Sequence, residues 1–262
     1  MPELRFAPVA LVTGASRGIG RAIAERLAAR GARVALHCRD QRALADRVRA
    51  GLPGEGHAVF AADLADPDSV SRLWAEVWDR FGRLDILINN AAVYLEHRAL
   101  STDPQRWLSL WAQTLNTNLV SAAQLSQLAA RAMSERSEPV EPAFGNGRIV
   151  NISSRGAFRG EPDAPAYAAS KAGLNALGQS LARALAAVNV YVYCIAPGWV
   201  ATDMSAEQLT GATRADILGQ HPLGRVATAD EIANAAVYCA LDAPATMTGC
   251  IIDVNGASYL RT

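Results

Sequence analysis

Seven short runs of β-branched and apolar residues alternate along this chain with longer alanine-rich stretches, and that alternation constrains the fold more than any other feature. The runs are PVALV (8–12), ARVALHC (32–38), HAVFA (57–61), LDILI (84–88), GRIVNI (147–152), NVYVYCI (189–195) and GCIIDV (249–254). Each has strand length and is almost continuously apolar, which fits strands covered on both faces better than a sheet with one wet side. Between them lie helical patterns: IGRAIAERLAAR, closed by Gly31; DPDSVSRLWAEVWDRF, with Pro67 near its start; and longer ones near 103–136 and 165–187. Strands alternating with helices predict βαβ units, hence an α/β protein with a doubly wound parallel sheet of about seven strands and helices on both faces. No Pro/Gly linker divides residues 1–262, and SEPVEPAFGNG (137–147) reads as a loop before a strand, so a single Rossmann-type domain is expected.

Half of the residues are apolar and the formal net charge is zero. The first supports a sizeable core, and the second leaves no electrostatic case for nucleic acid or an anionic membrane as partner. Cys38, Cys194, Cys239 and Cys250 are scattered, with no CxxC and no neighbouring histidine cluster. They predict free thiols in a reducing compartment and no metal site. The start, MPELRFAPVALVTG, lacks a basic segment followed by an apolar run of signal-peptide length, and no apolar run approaches a membrane span. A soluble cytoplasmic protein is the expectation.

TGASRGIG (13–20) falls between the first strand and the first helix. Glycines there remove β-carbons so that backbone can approach a phosphate, and a helix beginning near Gly18 aims its free N–H groups at the same point. Gly14, Ser16, Arg17, Gly18, Ile19 and Gly20 are therefore candidate pyrophosphate-binding residues. The second strand then ends His37-Cys38-Arg39, where an NAD site usually offers a carboxylate to the ribose. Arg39, with Arg17 on the other side, suits a 2′-phosphate, so NADP(H) is favoured over NAD(H). Asp40 is expected to cap the following helix.

Lys171, in YAASK, is the only lysine; every other of the 25 Lys-plus-Arg cations is arginine. Tyr167 lies four residues earlier on the same predicted helix face. A phenol titrates near pH 10, and a fixed ammonium beside it is expected to bring that value toward the working range. Upstream, GRIVNISS ends a strand with Ser153 and Ser154, where a hydroxyl could meet a substrate carbonyl.

These residues resemble the short-chain dehydrogenase/reductase family, and the likeness covers nearly the whole chain. The family's TGxxxGxG matches Thr13 to Gly20, its adenine-side aspartate Asp63 with Leu64 beside it, and its NNAG motif Asn89-Asn90-Ala91-Ala92. Its catalytic set maps onto Asn118, Ser154, Tyr167 and Lys171, and its PG segment onto Pro197-Gly198, followed by Val200 and Thr202 toward the nicotinamide. HPLGR (221–225) and the following ADEIANAAVY are also similar to the family's C-terminal part. The resemblance implies hydride transfer at a carbonyl or alcohol carbon, with Tyr167 as acid/base, Ser154 polarising the oxygen, Lys171 holding the nicotinamide ribose and Asn118 supporting a proton-resupplying water chain. Asn90, Ala91, Tyr167 and Lys171 would also touch the cofactor. Tyr193 and Asn255-Gly256-Ala257 depart from the family pattern, as does Ala92.

Tyr94, Arg155, Phe158 and Arg159 are expected to flank the substrate pocket, with Glu96 and His97 at its rim and 202–220 as a lid-like segment. TGASRGIGRAIAERLAARGA and PGWVATDM look most like 3-oxoacyl-carrier-protein reductases. Docking an acidic carrier needs basic helix ends, whereas here Glu135, Glu138 and Glu141 surround a single Arg136. A free small-molecule ketone or alcohol is the better expectation, with a carrier-bound substrate as the alternative. A non-catalytic NADP-binding sensor is the rival of another class. By the same resemblance, a homo-oligomer, dimer or tetramer, is implied.

Overall fold

The computed structural model describes residues 6–137 and 139–261; Glu138 lies outside the described residues. Seven parallel strands form the sheet: β1 (Val9–Val12), β2 (Arg33–Cys38), β3 (Ala58–Ala61), β4 (Ile86–Asn89), β5 (Gly147–Ile152), β6 (Val190–Pro197) and, last in the chain, β9 (Ile251–Val254). Their order is β3-β2-β1-β4-β5-β6-β9, so the chain reverses its winding between β1 and β4. A cleft opens at the strand C-termini at such a reversal, and both the glycine turn and the Asn89-Asn90 pair end there. A two-stranded sheet that the sequence did not suggest pairs β7 (Val200–Ala201) with β8 (Ala227–Thr228).

The helices are α1 (Gly18–Ala29), α2 (Arg42–Gly51), α3 (Pro67–Phe81), α4 (Pro104–Leu115), α5 (Ser121–Ser134), α6 (Gly156–Arg159), α7 (Pro165–Leu185), α8 (Ala206–Thr210), α9 (Arg214–Gly219) and α10 (Ala229–Val237). Alternation along the strands divides the core. Ala10 and Val12 pack with Ile23 and Leu27 of α1 and Ile232 and Ala236 of α10. Val9 and Leu11 pack on the other face with Leu73 and Val77 of α3 and Leu125 and Met133 of α5. α3 begins where Asp66 accepts hydrogen bonds from the N–H groups of Asp68 and Ser69, with Pro67 in the first turn. Asp40 does not cap α2: the cap position belongs to Gln41, and the Asp40 carboxylate instead meets Arg39 at 3.1 Å.

The long helical pattern near 103–136 is divided by a π-helical turn over Asn116–Val120. Such a widened turn re-aims side chains and is often found at functional sites. It carries Asn118.

Beside β4, Asp85 is fully buried, accepts from the Val9 N–H at 2.8 Å and meets Arg83 at 2.8 Å and Arg136 at 2.9 Å. Arg136 also donates to the carbonyls of Leu84 and Asn146. The one arginine among the acidic residues after α5 is thus committed internally rather than to the surface. Among the described residues, no helix is long and apolar enough to cross a membrane.

Candidate active site

The glycine turn is built by its neighbours. Gly14 and Gly18 have φ of 67° and 55°, the left-handed region where a side chain is strained. A β-carbon on Gly20 would lie 2.2 Å from the Gly14 carbonyl oxygen, so α1 can start only with glycine at that point. Thr13 Oγ1 accepts from the Asn90 and Ala91 N–H groups at 2.9 and 3.0 Å, and Asn90 Nδ2 donates to the Thr13 carbonyl at 2.8 Å. These bonds lock the ends of β1 and β4 together across the reversal. His37 adds a tie from β2: its Nδ1 accepts from the Gly14 N–H at 3.1 Å and its Nε2 donates to the Ala62 carbonyl at 3.0 Å. Burial holds this imidazole neutral, with a pKa near 4. His37 had no role in the sequence reading, because a histidine late in a strand says nothing about which backbone it will face.

One cleft runs along these elements, lined by the glycine turn, Arg17, Arg39, Asp63, Leu64, Asn90, Ala91, Ser154, Tyr167, Lys171, Pro197, Gly198, Val200 and Thr202. The cradle around Gly14 and Gly18, the first turn of α1 and two exposed guanidinium groups at one end form an anion-binding groove. The residues present therefore fit a dinucleotide with a phosphate beside Arg17 and Arg39. Cys38, buried behind them, offers no ribose acceptor.

At the other end lie Ser154, Tyr167 and Lys171. The Ser154 hydroxyl oxygen accepts from the Gly156 N–H at 3.0 Å. Tyr94 packs edge-on against Tyr167, with ring centroids 5.1 Å apart. Lys171 is buried; its Nζ donates to the Ile152 carbonyl at 2.7 Å and stands 5.7 Å from the centre of the Tyr167 ring.

This geometry corrects the expectation that the ammonium lowers the phenol pKa. Burial pushes Tyr167 up to about 12, with the hydrogen bond to Ser154 acting the other way and the Glu161 charge adding to the rise. The same burial lowers Lys171 to about 8. Desolvation sets both directions, since the ammonium is spent on the Ile152 carbonyl rather than on the phenol oxygen.

Asn118 is buried by the π turn and fully engaged: its Oδ1 accepts from the Val93 N–H at 2.8 Å, and its Nδ2 donates to the Val93 carbonyl and to Ser170 Oγ. It pins the irregular segment following Asn90 to α7.

Three expectations for the substrate end change, those for Phe158, Arg159 and His97, and that for Arg155 holds. Phe158 stacks on Tyr259 beneath Arg261, outside the cleft lining, because the single turn of α6 rotates it toward the C-terminal segment. Arg159 also lies outside the lining and donates to Gln220 Oε1 at 3.2 Å. Arg155 does line the cleft, yet its guanidinium reaches Gln220 Oε1 at 3.0 Å. His97 is not at the rim: it is buried against Trp107 and Trp111, its Nδ1 donates to the Leu95 carbonyl, and its Nε2 accepts from the Ala166 N–H at the start of α7.

Glu161, Gln113, Thr117 and Trp199 line the same end and had no sequence signal, whereas Gln208 falls in the segment 202–220 expected to cover the pocket. Glu96 is exposed. Of the departures from the family pattern, Tyr193 is buried under the Arg148 guanidinium, and Ala257 takes a left-handed φ of 59°.

Comparison with known proteins agrees with this architecture. Residues 14–257 match a family model described as enoyl-(acyl carrier protein) reductase. The chain is 39% identical over 255 residues to the 3-oxoacyl-[acyl-carrier-protein] reductase FabG of Escherichia coli strain K12, covering 96% of this chain and 97% of that one. It is 34% identical over 259 residues to the FabG of Staphylococcus aureus strain MW2, covering 98% and 100%. A crystal structure of a candidate NAD(P)-dependent gluconate 5-dehydrogenase from Beutenbergia cavernae, with bound NADP at low occupancy, superposes with a TM-score of 0.85 at 32% identity, covering 98% of this chain and 99% of that one. With the glycine cradle, the strand reversal and the Ser154–Tyr167–Lys171 grouping, these likenesses settle one point: the chain belongs to the short-chain dehydrogenase/reductase family.

Proposed function

We propose that this protein is an NADP(H)-dependent oxidoreductase that reduces the carbonyl of a free small molecule in the cytoplasm, with Tyr167 giving the proton. The observation that carries the reading is the Ser154, Tyr167 and Lys171 grouping at one end of a cleft whose other end presents Arg17 and Arg39. When bound, reduced nicotinamide supplies the hydride that the carbonyl carbon accepts. Ser154 donates toward the carbonyl oxygen and holds it beside Tyr167 Oη. As negative charge grows on that oxygen, the phenol releases its proton to it, giving the alcohol. A phenol with a pKa near 12 is protonated at neutral pH and is still far more acidic than an alcohol, so it is loaded to give rather than to take. Lys171 is placed to bind a ribose hydroxyl and the Tyr167 ring, and Asn118 acts by positioning α7 through Ser170 and the chain at Val93.

Binding of the 2′-phosphate rests on Arg39 and Arg17. Arg39→Asp is expected to weaken NADPH binding by about ten- to a hundredfold while sparing NADH, the cost of one charge-assisted contact. Fluorescence titration with both cofactors reads this; equal affinity for NADPH before and after would remove Arg39 from the phosphate site.

The relatives named FabG favour a second reading, a carrier-bound 3-oxoacyl substrate. Against it, Arg136 is turned inward to Asp85, which leaves Arg131 as the exposed cation in the last turn of α5, beside Glu135. Loss of reduced cofactor should be followed with a panel of ketones and a 3-oxoacyl thioester, free and carrier-bound. Turnover of free ketones fits the proposal, turnover of the carrier-bound thioester alone fits the rival, and NADPH binding without any turnover fits a sensor.

A further inference from the structure

At the Tyr167 end, the cleft is walled by Tyr94, Gln113, Thr117, Glu161, Trp199 and Gln208. Glu161 is the unusual member. Its carboxylate lies over Gly156, where a β-carbon would come within 2.6 Å of Oε1, so the chain has no side chain at Gly156 and the carboxylate occupies that space. Among the described residues its side-chain ion pair is with Arg159 Nε, a long contact at 3.7 Å. Arg155 and Arg159 also share the one Oε1 of Gln220 as acceptor, which divides their donors between it and Glu161. Burial raises the Glu161 pKa even against the pull of Arg159 and Arg155, so these two arginines compensate its desolvation only in part. A half-buried carboxylate in this state is costly unless something else satisfies it.

We infer that Glu161 determines substrate class: it accepts a hydrogen bond from a hydroxyl of the substrate, and the preferred carbonyl compound is hydroxylated. This rests on the oxidoreductase reading above and goes beyond it. An apolar chain passing Glu161 would strip water from the carboxylate and return nothing. A substrate carboxylate would be repelled by it, and the Arg155 and Arg159 guanidinium groups that could offset this are already held on Gln220 Oε1. A substrate ammonium would meet the Arg155 and Arg159 charges that lie close enough to act on Glu161. A hydroxyl suffers neither penalty, and Gln113, Gln208, Thr117 and Tyr94 supply further neutral partners around it. A site built to hydrogen-bond a hydroxyl discriminates strongly against the analogue that lacks it.

Three ketones of equal length serve as probes: a plain five-carbon ketone, the ketopentose and the five-carbon keto acid, each with NADPH. Wild type is expected to reduce the ketopentose with a kcat/KM at least about tenfold above the plain ketone, with the keto acid lowest. Glu161→Met should shrink that preference by about tenfold or more, mostly through KM, and Glu161→Gln should fall between, both with unchanged NADPH affinity as the check on folding. Preference of the wild type for the plain ketone or the keto acid, or an unchanged preference in Glu161→Met, overturns the inference while leaving the oxidoreductase reading intact. Absence of turnover with every carbonyl compound, with NADPH still bound, defeats that reading and this inference with it.

Discussion

Lys171→Met should make the protein more stable at neutral pH and nearly inactive. The ammonium is buried with a pKa near 8, against an ordinary 10.5, because burial penalises its charge. Below pH 8 the residue is charged in folded and unfolded chains alike, and the whole penalty weighs on the fold. Between pH 8 and 10.5 the unfolded chain holds the proton that the folded one has released, so stability rises with pH across that window. The depressed pKa corresponds to about 3 kcal/mol. Methionine keeps the bulk but leaves the Ile152 carbonyl without its donor, which returns about 1 kcal/mol, so a net gain near 2 kcal/mol is expected at pH 7. Urea unfolding at pH 7 and at pH 9.5 measures it: the gain should shrink at the higher pH. Destabilisation at pH 7 would mean that the ammonium is better solvated than its burial implies. Lys171→Arg should also lose about a hundredfold or more of activity, because a planar guanidinium cannot occupy the slot between the Ile152 carbonyl and the Tyr167 ring.

Tyr167→Phe should lower carbonyl reduction by about a hundred- to ten-thousandfold, the usual range for a lost general acid, with NADPH affinity held. The ring contact with Tyr94 survives the change, so the fold should be preserved. The pH dependence carries a further expectation. With Tyr167 protonated up to a pH near 12, the proton-donating form does not decline across the neutral range, and activity lost above pH 8 would report Lys171 instead.

Much of this was legible from local sequence, for physical reasons. Glycine positions in TGASRGIG are dictated by backbone conformation and close approach within one turn, so Gly14, Gly18 and Gly20 announce the cradle by themselves. Strand runs apolar on both faces announced a parallel sheet, since only helices on both sides could cover them. Uniqueness singled out Lys171, but not the direction of its influence, because desolvation belongs to the packed interior. Asp40 followed local capping logic until Arg39, one residue away, took its carboxylate. His97 looked like a rim residue because nothing in its neighbourhood of the chain foretells that Trp107 and Trp111 of α4 will close over it. Glu161 stayed silent for the same reason: its meeting with Tyr167 depends on how the loop after β5 lies over α7.

In the proposed reaction the nicotinamide hydride reaches the carbonyl carbon while the Tyr167 proton reaches its oxygen. NADPH carrying deuterium at the transferable position of its nicotinamide, incubated with wild type and a ketone that it reduces, tests this most directly by mass spectrometry of the product. Wild type is expected to place one deuterium on the new carbinol carbon, and Tyr167→Phe to yield almost no labelled alcohol. Unlabelled alcohol from the wild type, or undiminished labelling by Tyr167→Phe, would contradict it.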